Sequence, residues 1–300
     1  MNMELYIKRI ESFADAFAYP AEAKAEIVEV FQKAFSNPQN LTALQDCVQS
    51  YEEDAGRGFS ELLALCAAVA NETQVNVYTV YMAAMMLFAD VSRKHYEAQG
   101  LPYELWKNNF ADLTYKLQEC KLVKGVWGTF VPTWFCRFYD VSRFAFGKLQ
   151  FEREPFARTY VKNGVVLDKD SVVINIHLPR TGKKLFPQDV DEACATASAF
   201  FQEKYGMERI VFVCHSWLLY PENKKMLNPT SNLYSYIARF DVIEVEESEN
   251  YRDVWRLFDT EYTGDVDKLP ADSSLRRAYI ERIRKGEKTG CGYGVYVYKK

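Results

Sequence analysis

The sequence predicts an α+β chain, with a helical domain over residues 1–125 and a mixed α/β sheet domain over residues 126–300. Three observations predict it. Apolar residues recur at helical spacing through the first part, as in Leu5, Ile10, Phe13 and Phe17. Composition then changes after Lys121, where Gly125, Gly128 and Pro132 interrupt an aromatic run from Trp127 to Tyr139. Beyond it, two apolar runs rich in β-branched residues, 171–177 and 209–219, flank a helical stretch, which is the spacing of a right-handed parallel strand–helix–strand unit.

Taken in order, a first helix runs through Leu5 to Phe17, and Pro20 opens a second whose apolar stripe is Ile27, Val30, Phe31 and Phe35. Ser36-Asn37-Pro38 breaks the pattern. Helices follow over 41–51, 59–70 and 78–95, and Pro102 opens one more through Trp106, Phe110, Leu113 and Leu117. Short turns between helices of this length imply an antiparallel bundle. The segment 127–139 reads as the connection between domains. A strand is expected over 146–154, where Leu149 and Phe151 alternate with Gln150 and Glu152. Asn163-Gly164 between Tyr160-Val161 and Val165–Leu167 predicts a hairpin.

The run 171–177 stops at Leu178-Pro179, because proline withdraws a backbone donor and biases its predecessor towards extended geometry. A small basic turn, Arg180-Thr181-Gly182-Lys183-Lys184, leads to a helix from Pro187 to Gly206. The second strand, 209–219, gives way to a polar loop over 221–229 and a short helix from Asn232 to Arg239. A strand over 241–246, a helix over 274–285 and a closing strand over 293–298 complete the chain. Sites in parallel sheets collect beyond the carboxyl ends of the strands, where His177 and His215 lie.

Composition narrows the function classes. The 300 residues are 48% hydrophobic and 26% charged, ordinary for a globular protein, with 20 Tyr, 20 Phe and 5 Trp that fill a core or line a pocket. Net charge is −4, with the acid excess in the first part, so nucleic acid is not an expected partner. The seven cysteines are scattered without any CxxC spacing, which indicates neither a disulfide framework nor a metal cluster. The N-terminal run lacks a signal-peptide core and no apolar run is long enough to span a bilayer, so a cytoplasmic protein with no membrane partner is expected. An oligomer is compatible with these features.

The order of strands and helices, together with Phe146-Gly-Lys-Leu-Gln-Phe-Glu152, Ile174-Asn-Ile-His-Leu-Pro179, Phe212-Val-Cys-His-Ser-Trp-Leu-Leu219, Ser231-Asn232 and Leu269-Pro270, resembles a bacterial family of acyltransferases. In that family a helical N-acyltransferase N-terminal domain precedes a GNAT-like C-terminal domain, of the Gcn5-related N-acetyltransferase superfamily. The resemblance covers essentially the whole chain. It implies acetyl-CoA or another acyl-CoA as donor and a small-molecule or peptide amine as acceptor.

In the superfamily the loop after the fourth strand carries Gln or Arg, then Gly, then Gly or Ala, and holds the coenzyme A pyrophosphate on backbone amides and a helix N-terminus. The resemblance places Arg180, Thr181, Gly182 and Lys183 there, with one glycine where the pattern has more. It puts the acyl thioester between Ile176-His177 and Cys214-His215, with Asn232 capping its helix or contacting the cofactor arm. Direct transfer needs a base and an acid. His177 is the candidate base, on the same face as Asn175 by alternation; Tyr234 or Tyr236 is the candidate acid; Glu152 is a carboxylate facing the acceptor.

Two other readings stay open. A non-catalytic binding or regulatory module would have kept the fold after losing the phosphate loop, and would fill the cleft between the parallel strands with Trp217, Phe212 or the helical domain. A thiol hydrolase or transferase would use Cys214 or Ser216 with His177, and requires Cys214 to be exposed and close to that histidine.

Overall fold

The helical periodicity of the first part folds as six long helices. These are α1 (Met3–Ala16), α2 (Ala21–Ala34), α3 (Pro38–Glu53), α4 (Phe59–Thr73), α5 (Val77–Ala98) and α6 (Tyr103–Lys124). Local chemistry sets their ends. The Asn37 and Asn76 side chains accept from the Gln39 and Tyr78 amides to cap α3 and α5, and Gly125 ends α6 in the left-handed region. α5 is apolar on most of its circumference, which explains its place at the centre, packed against α1, α2, α3, α4 and α6.

This computed structural model describes residues 3–162, 164–251 and 254–298, and the chain divides into two compact units, Met1–Phe144 and Ala145–Lys300. The division falls later than 125 because the aromatic segment is bound to the helices. Trp134 Nε1 donates to Asp112 Oδ2 at 2.9 Å, and the Tyr139 hydroxyl donates to Met85 O at 2.7 Å. The Tyr51 and Tyr96 hydroxyls donate to the carbonyls of Tyr139 and Phe138, in the short helix α7 (Cys136–Tyr139). A string of aromatic side chains reads as a linker in sequence, but the polar tips of Trp134 and Tyr139 find partners within the helices.

The second unit is built on one sheet. Its strands are β1 (Arg143–Phe146), β2 (Leu149–Pro155), β5 (Val172–His177), β6 (Val211–Ser216), β8 (Thr289–Val297) and β7 (Asp241–Ser248), in that spatial order, and β3 (Tyr160–Lys162) pairs with β4 (Val165–Leu167) apart from it. Helix α8 (Pro187–Tyr205) joins β5 to β6, which run parallel; β2 and β8 flank them antiparallel. The strand expected over 146–154 is instead two, because Gly147 at φ +58° turns the chain between β1 and β2. The expected hairpin forms, although Asn163 lies outside the described residues.

The strand expected to reach 219 ends at Ser216, whose hydroxyl accepts from the Leu218 amide and starts a tight turn over Trp217–Leu219. The expected loop 221–229 contains a helix, α9 (Pro221–Met226), opened by its proline. Next come α10 (Asn232–Ile237), α11 (Trp255–Phe258) and α12 (Ser274–Arg284). Ser231, not Asn232, caps α10, accepting from the Tyr234 amide at 3.2 Å.

Register separates the two faces of this sheet. Opposed residues share a face, so Gln150, Glu152, Glu154, Asn175, His177, Val213, His215 and Tyr293 point one way. Phe151, Ile176, Phe212, Cys214 and Tyr296 point the other way, where Phe212 and Tyr296 stack and Tyr236 meets Cys214. The apolar part of the first face, Val173, Val211, Val213 and Val295, is covered by Tyr160, Val165 and Leu167 of the hairpin.

Candidate active site

The candidate site lies where β5 and β6 part. Their ladder pairs are Ile174 with Phe212 and Asn175 with Val213, and pairing stops there although both strands continue, β5 held by β2 and β6 by β8. Pro179 stops β5 soon afterwards, and Ser216 turns β6 away. The result is a wedge between Ile176-His177 and Cys214-His215. Trp217 does not fill it, since its ring meets Tyr279 edge-on at 6.1 Å in a separate apolar cluster.

On the polar face of the wedge, His177 Nε2 lies 2.7 Å from Glu152 Oε1, with the two side chains 17% and 13% exposed. A carboxylate accepts only, so this contact assigns the Nε2 proton to the shared bond. One step along β2, Glu154 accepts from Asn175 Nδ2 at 2.9 Å and from the Tyr293 hydroxyl at 3.4 Å, and burial pushes its carboxyl above the usual range. Arg158 lies over the Tyr293 ring and pairs with Glu244. His215 stands level with His177 across the wedge, exposed, with Nε2 3.9 Å from Glu246 Oε2. Two buried carbonyl oxygens on this face, Gln150 Oε1 and Asn175 Oδ1, have no hydrogen-bond partner among the described residues.

On the other face lies a groove of about 440 Å³ lined by Lys148, the loop 178–185, Ser231, Asn232 and Leu233. The structure thus brings the expected Arg180, Thr181, Gly182, Lys183 and Asn232 to one groove, while Cys214 and His215 do not line it. Gly182 takes φ +71°, which turns the loop, and the Lys183 amide donates to Thr181 Oγ1 at 3.2 Å. Arg180 is committed elsewhere: it pairs with Asp259 at 2.7 Å, a carboxylate shared with Arg276. Lys183 and Lys184 are exposed, and neither ammonium forms an ion pair among the described residues. Lys148, which the sequence did not single out, reaches Asp189 in the first turn of α8 at 2.6 Å and the Lys184 carbonyl at 2.8 Å, tying the groove to the helix start. Its turn position, between two strands and away from the loop in sequence, gave no signal.

The candidate acids separate. Tyr236 is fully buried with its hydroxyl 3.6 Å from Cys214 Sγ, and burial raises its pKa well above the phenol range. Tyr234 is half-buried and its ring faces Lys224 at 5.2 Å. The thiol reading fails on geometry. Cys214 is 1% exposed on the face opposite His177, and burial pushes its thiol up to about 12, so no thiolate forms near neutrality.

The GNAT-like C-terminal domain matches residues 144–296, and the N-acyltransferase N-terminal domain matches residues 8–141. The chain belongs to this GNAT-like acyltransferase family. A crystal structure of an acyltransferase mutant in complex with octanoyl-CoA superposes with a TM-score of 0.77 at 18% identity, covering 97% of this chain and 88% of that one. An acyltransferase in complex with decanoyl-CoA and teicoplanin gives 0.74 at 19% identity, covering 98% and 86%. Another in complex with decanoyl-CoA gives 0.71 at 18% identity, covering 97% and 86%. A search of curated proteins finds no match. As a GNAT-like chain, this one keeps the wedge between the parallel strands and carries a single loop glycine. No helix among the described residues is long and apolar enough to cross a membrane.

Proposed function

We propose that the protein transfers an acyl group from acyl-CoA directly to an amine. The observation that carries this reading is the wedge: two parallel strands that stop pairing within reach of an imidazole–carboxylate pair, above a basic groove at the start of a long helix. The groove suits the phosphates of coenzyme A, with Lys183, Lys184, the loop amides and the start of α8 as binding groups. Arg180 supports the loop through Asp259. Structural neighbours hold octanoyl- and decanoyl-CoA, which makes medium-chain thioesters the first donors to test beside acetyl-CoA.

In this reading His177 is the base and Glu152 fixes its tautomer and steadies the imidazolium. An amine arriving as ammonium gives one proton to His177 Nδ1, and the neutral nitrogen attacks the thioester carbon. The C–N bond forms and the C–S bond breaks. A second nitrogen proton passes to the departing thiolate, and His177 returns its proton to water. The products are an amide and CoA thiol.

Calorimetric titration with acetyl-, octanoyl- and decanoyl-CoA tests the reading. Binding weakened on the order of tenfold by a Lys183→Ala, Lys184→Ala double substitution, with His177→Ala binding as wild type but inactive towards amines, is the expected result. No binding of any acyl-CoA would leave the non-catalytic module in its place.

A further inference from the structure

The first unit holds a cavity that acyl transfer does not use. Its volume is about 510 Å³, the size of a small-molecule site, and α1, α3 and α5 each contribute to its wall. Tyr6 of α1 lines it while fully buried, and the Tyr6 hydroxyl has no hydrogen-bond partner among the described residues. Burial raises the pKa of this phenol, Arg9 opposes the shift, and Glu52 of the cavity wall adds to it, so the hydroxyl end lies towards Glu52. A neutral phenol offers one proton and two lone pairs, and leaving them unmatched away from water costs stability. Helix α3 presents its part of the wall on one face, with Val48 one turn before Glu52 and Gln49 one turn before Glu53. Glu52 Oε1 accepts from Lys94 Nζ of α5 at 3.0 Å, while Glu53 Oε1 accepts from the neutral Gln49 amide at 3.0 Å. The wall therefore carries two carboxylates and one ammonium.

We propose that this cavity binds an aliphatic diamine, one ammonium taking the place of Lys94 on Glu52 and donating to the Tyr6 hydroxyl oxygen, the other pairing with Glu53. Lys94 shows the chemistry that fits, since an alkylammonium already sits on Glu52. It is also displaceable: the Lys94 side chain is 67% exposed, and ion pairs that solvent reaches hold weakly. Val48 lines the cavity beside these groups and offers the methylene chain an apolar contact. A neutral diol meets the hydroxyl but leaves the second carboxylate without a cation, and an anion meets like charge. The site is built from the first unit alone, so it stands apart from the transfer reading.

The test is calorimetry on the full chain with diaminobutane beside butanediol, for wild type, Tyr6→Phe and Lys94→Met. Diaminobutane is expected to bind saturably and butanediol not to bind. Tyr6→Phe is expected to weaken diaminobutane on the order of tenfold while melting at the wild-type temperature or above it, because phenylalanine buries no unpaired hydroxyl. Lys94→Met removes the resident competitor and is expected to tighten binding several-fold. Absence of saturable binding, equal binding of butanediol, unchanged affinity in Tyr6→Phe, or binding that Lys94→Met fails to tighten would overturn the proposal. A lowered melting temperature for Tyr6→Phe would do so as well, since the hydroxyl would then already be satisfied. Acyl-CoA titrations report on the transfer reading alone, so either conclusion can fail without the other.

Discussion

The imidazole of His177 gains direction from Glu152 across a strand pair, and the base role proposed for it predicts a loss of rate when that partner changes. Glu152→Gln is expected to lower kcat on the order of tenfold or more with the KM for acyl-CoA unchanged, measured by thiol release. Glu154 gives a second test, through stability. Its folded pKa lies above the unfolded value because burial disfavours the charge, so the folded state binds more protons and loses stability as pH rises through that window. The penalty is absent below the unfolded pKa and complete above the folded one. The melting temperature of Glu154→Gln relative to wild type should therefore rise from pH 4 to pH 7, and a flat difference would contradict this account. At Cys214, burial and the contact with Tyr236 predict resistance to iodoacetamide at pH 8 while exposed Cys136 is alkylated, read by mass spectrometry. Alternation along two strands made His177 and Asn175, and Gln150 and Glu152, legible as polar residues sharing a face of their own strand. Their meeting was not legible, since a one-residue slip between β2 and β5 would have sent Glu152 to the other face.

Between elements, the glycines of β8 let it lie close to the turn after β6 and to β7. A Cβ on Gly292 would stand 2.3 Å from the Leu219 carbonyl oxygen, and one on Gly290 would stand 2.3 Å from the Glu246 carbonyl oxygen. Gly292→Ala must push β8 off the turn that closes the wedge, and we expect it to cost about 2 kcal/mol or more by chemical denaturation. Gly182→Ala meets no atom within 4 Å, so its cost is limited to the left-handed backbone, about 1 kcal/mol, and its effect should fall on acyl-CoA affinity more than on melting. Pro179, Pro187 and Gly206 marked the ends of β5 and α8 in the sequence because each acts on its own backbone. The end of β6 was harder to place. Apolar residues continue to Leu219, and only the Ser216 side chain bonding two residues ahead breaks the strand.

Over the whole molecule the net charge is −4, yet the groove gathers Lys148, Arg180, Lys183 and Lys184. Coenzyme A binding should therefore be local in its electrostatics, and raising ionic strength from about 0.05 to about 0.15 M should weaken it several-fold in calorimetry while leaving the fold intact. The sequence by itself determined the helical first part, the parallel unit, the family resemblance and the basic loop, because periodicity, proline and glycine act within a few residues of where they stand. It misplaced the end of the first unit, since the aromatic run 127–139 joins the helices through contacts distant in sequence, among them the hydrogen bonds from Trp134 and Tyr139 to α6 and α5. The tertiary structure alone decided that β5 and β6 part after Asn175 and Val213, and that Cys214 turns inward while His177 faces Glu152. Strand register and splay are set by packing on both faces of the sheet at once, and no local stretch of sequence carries that information.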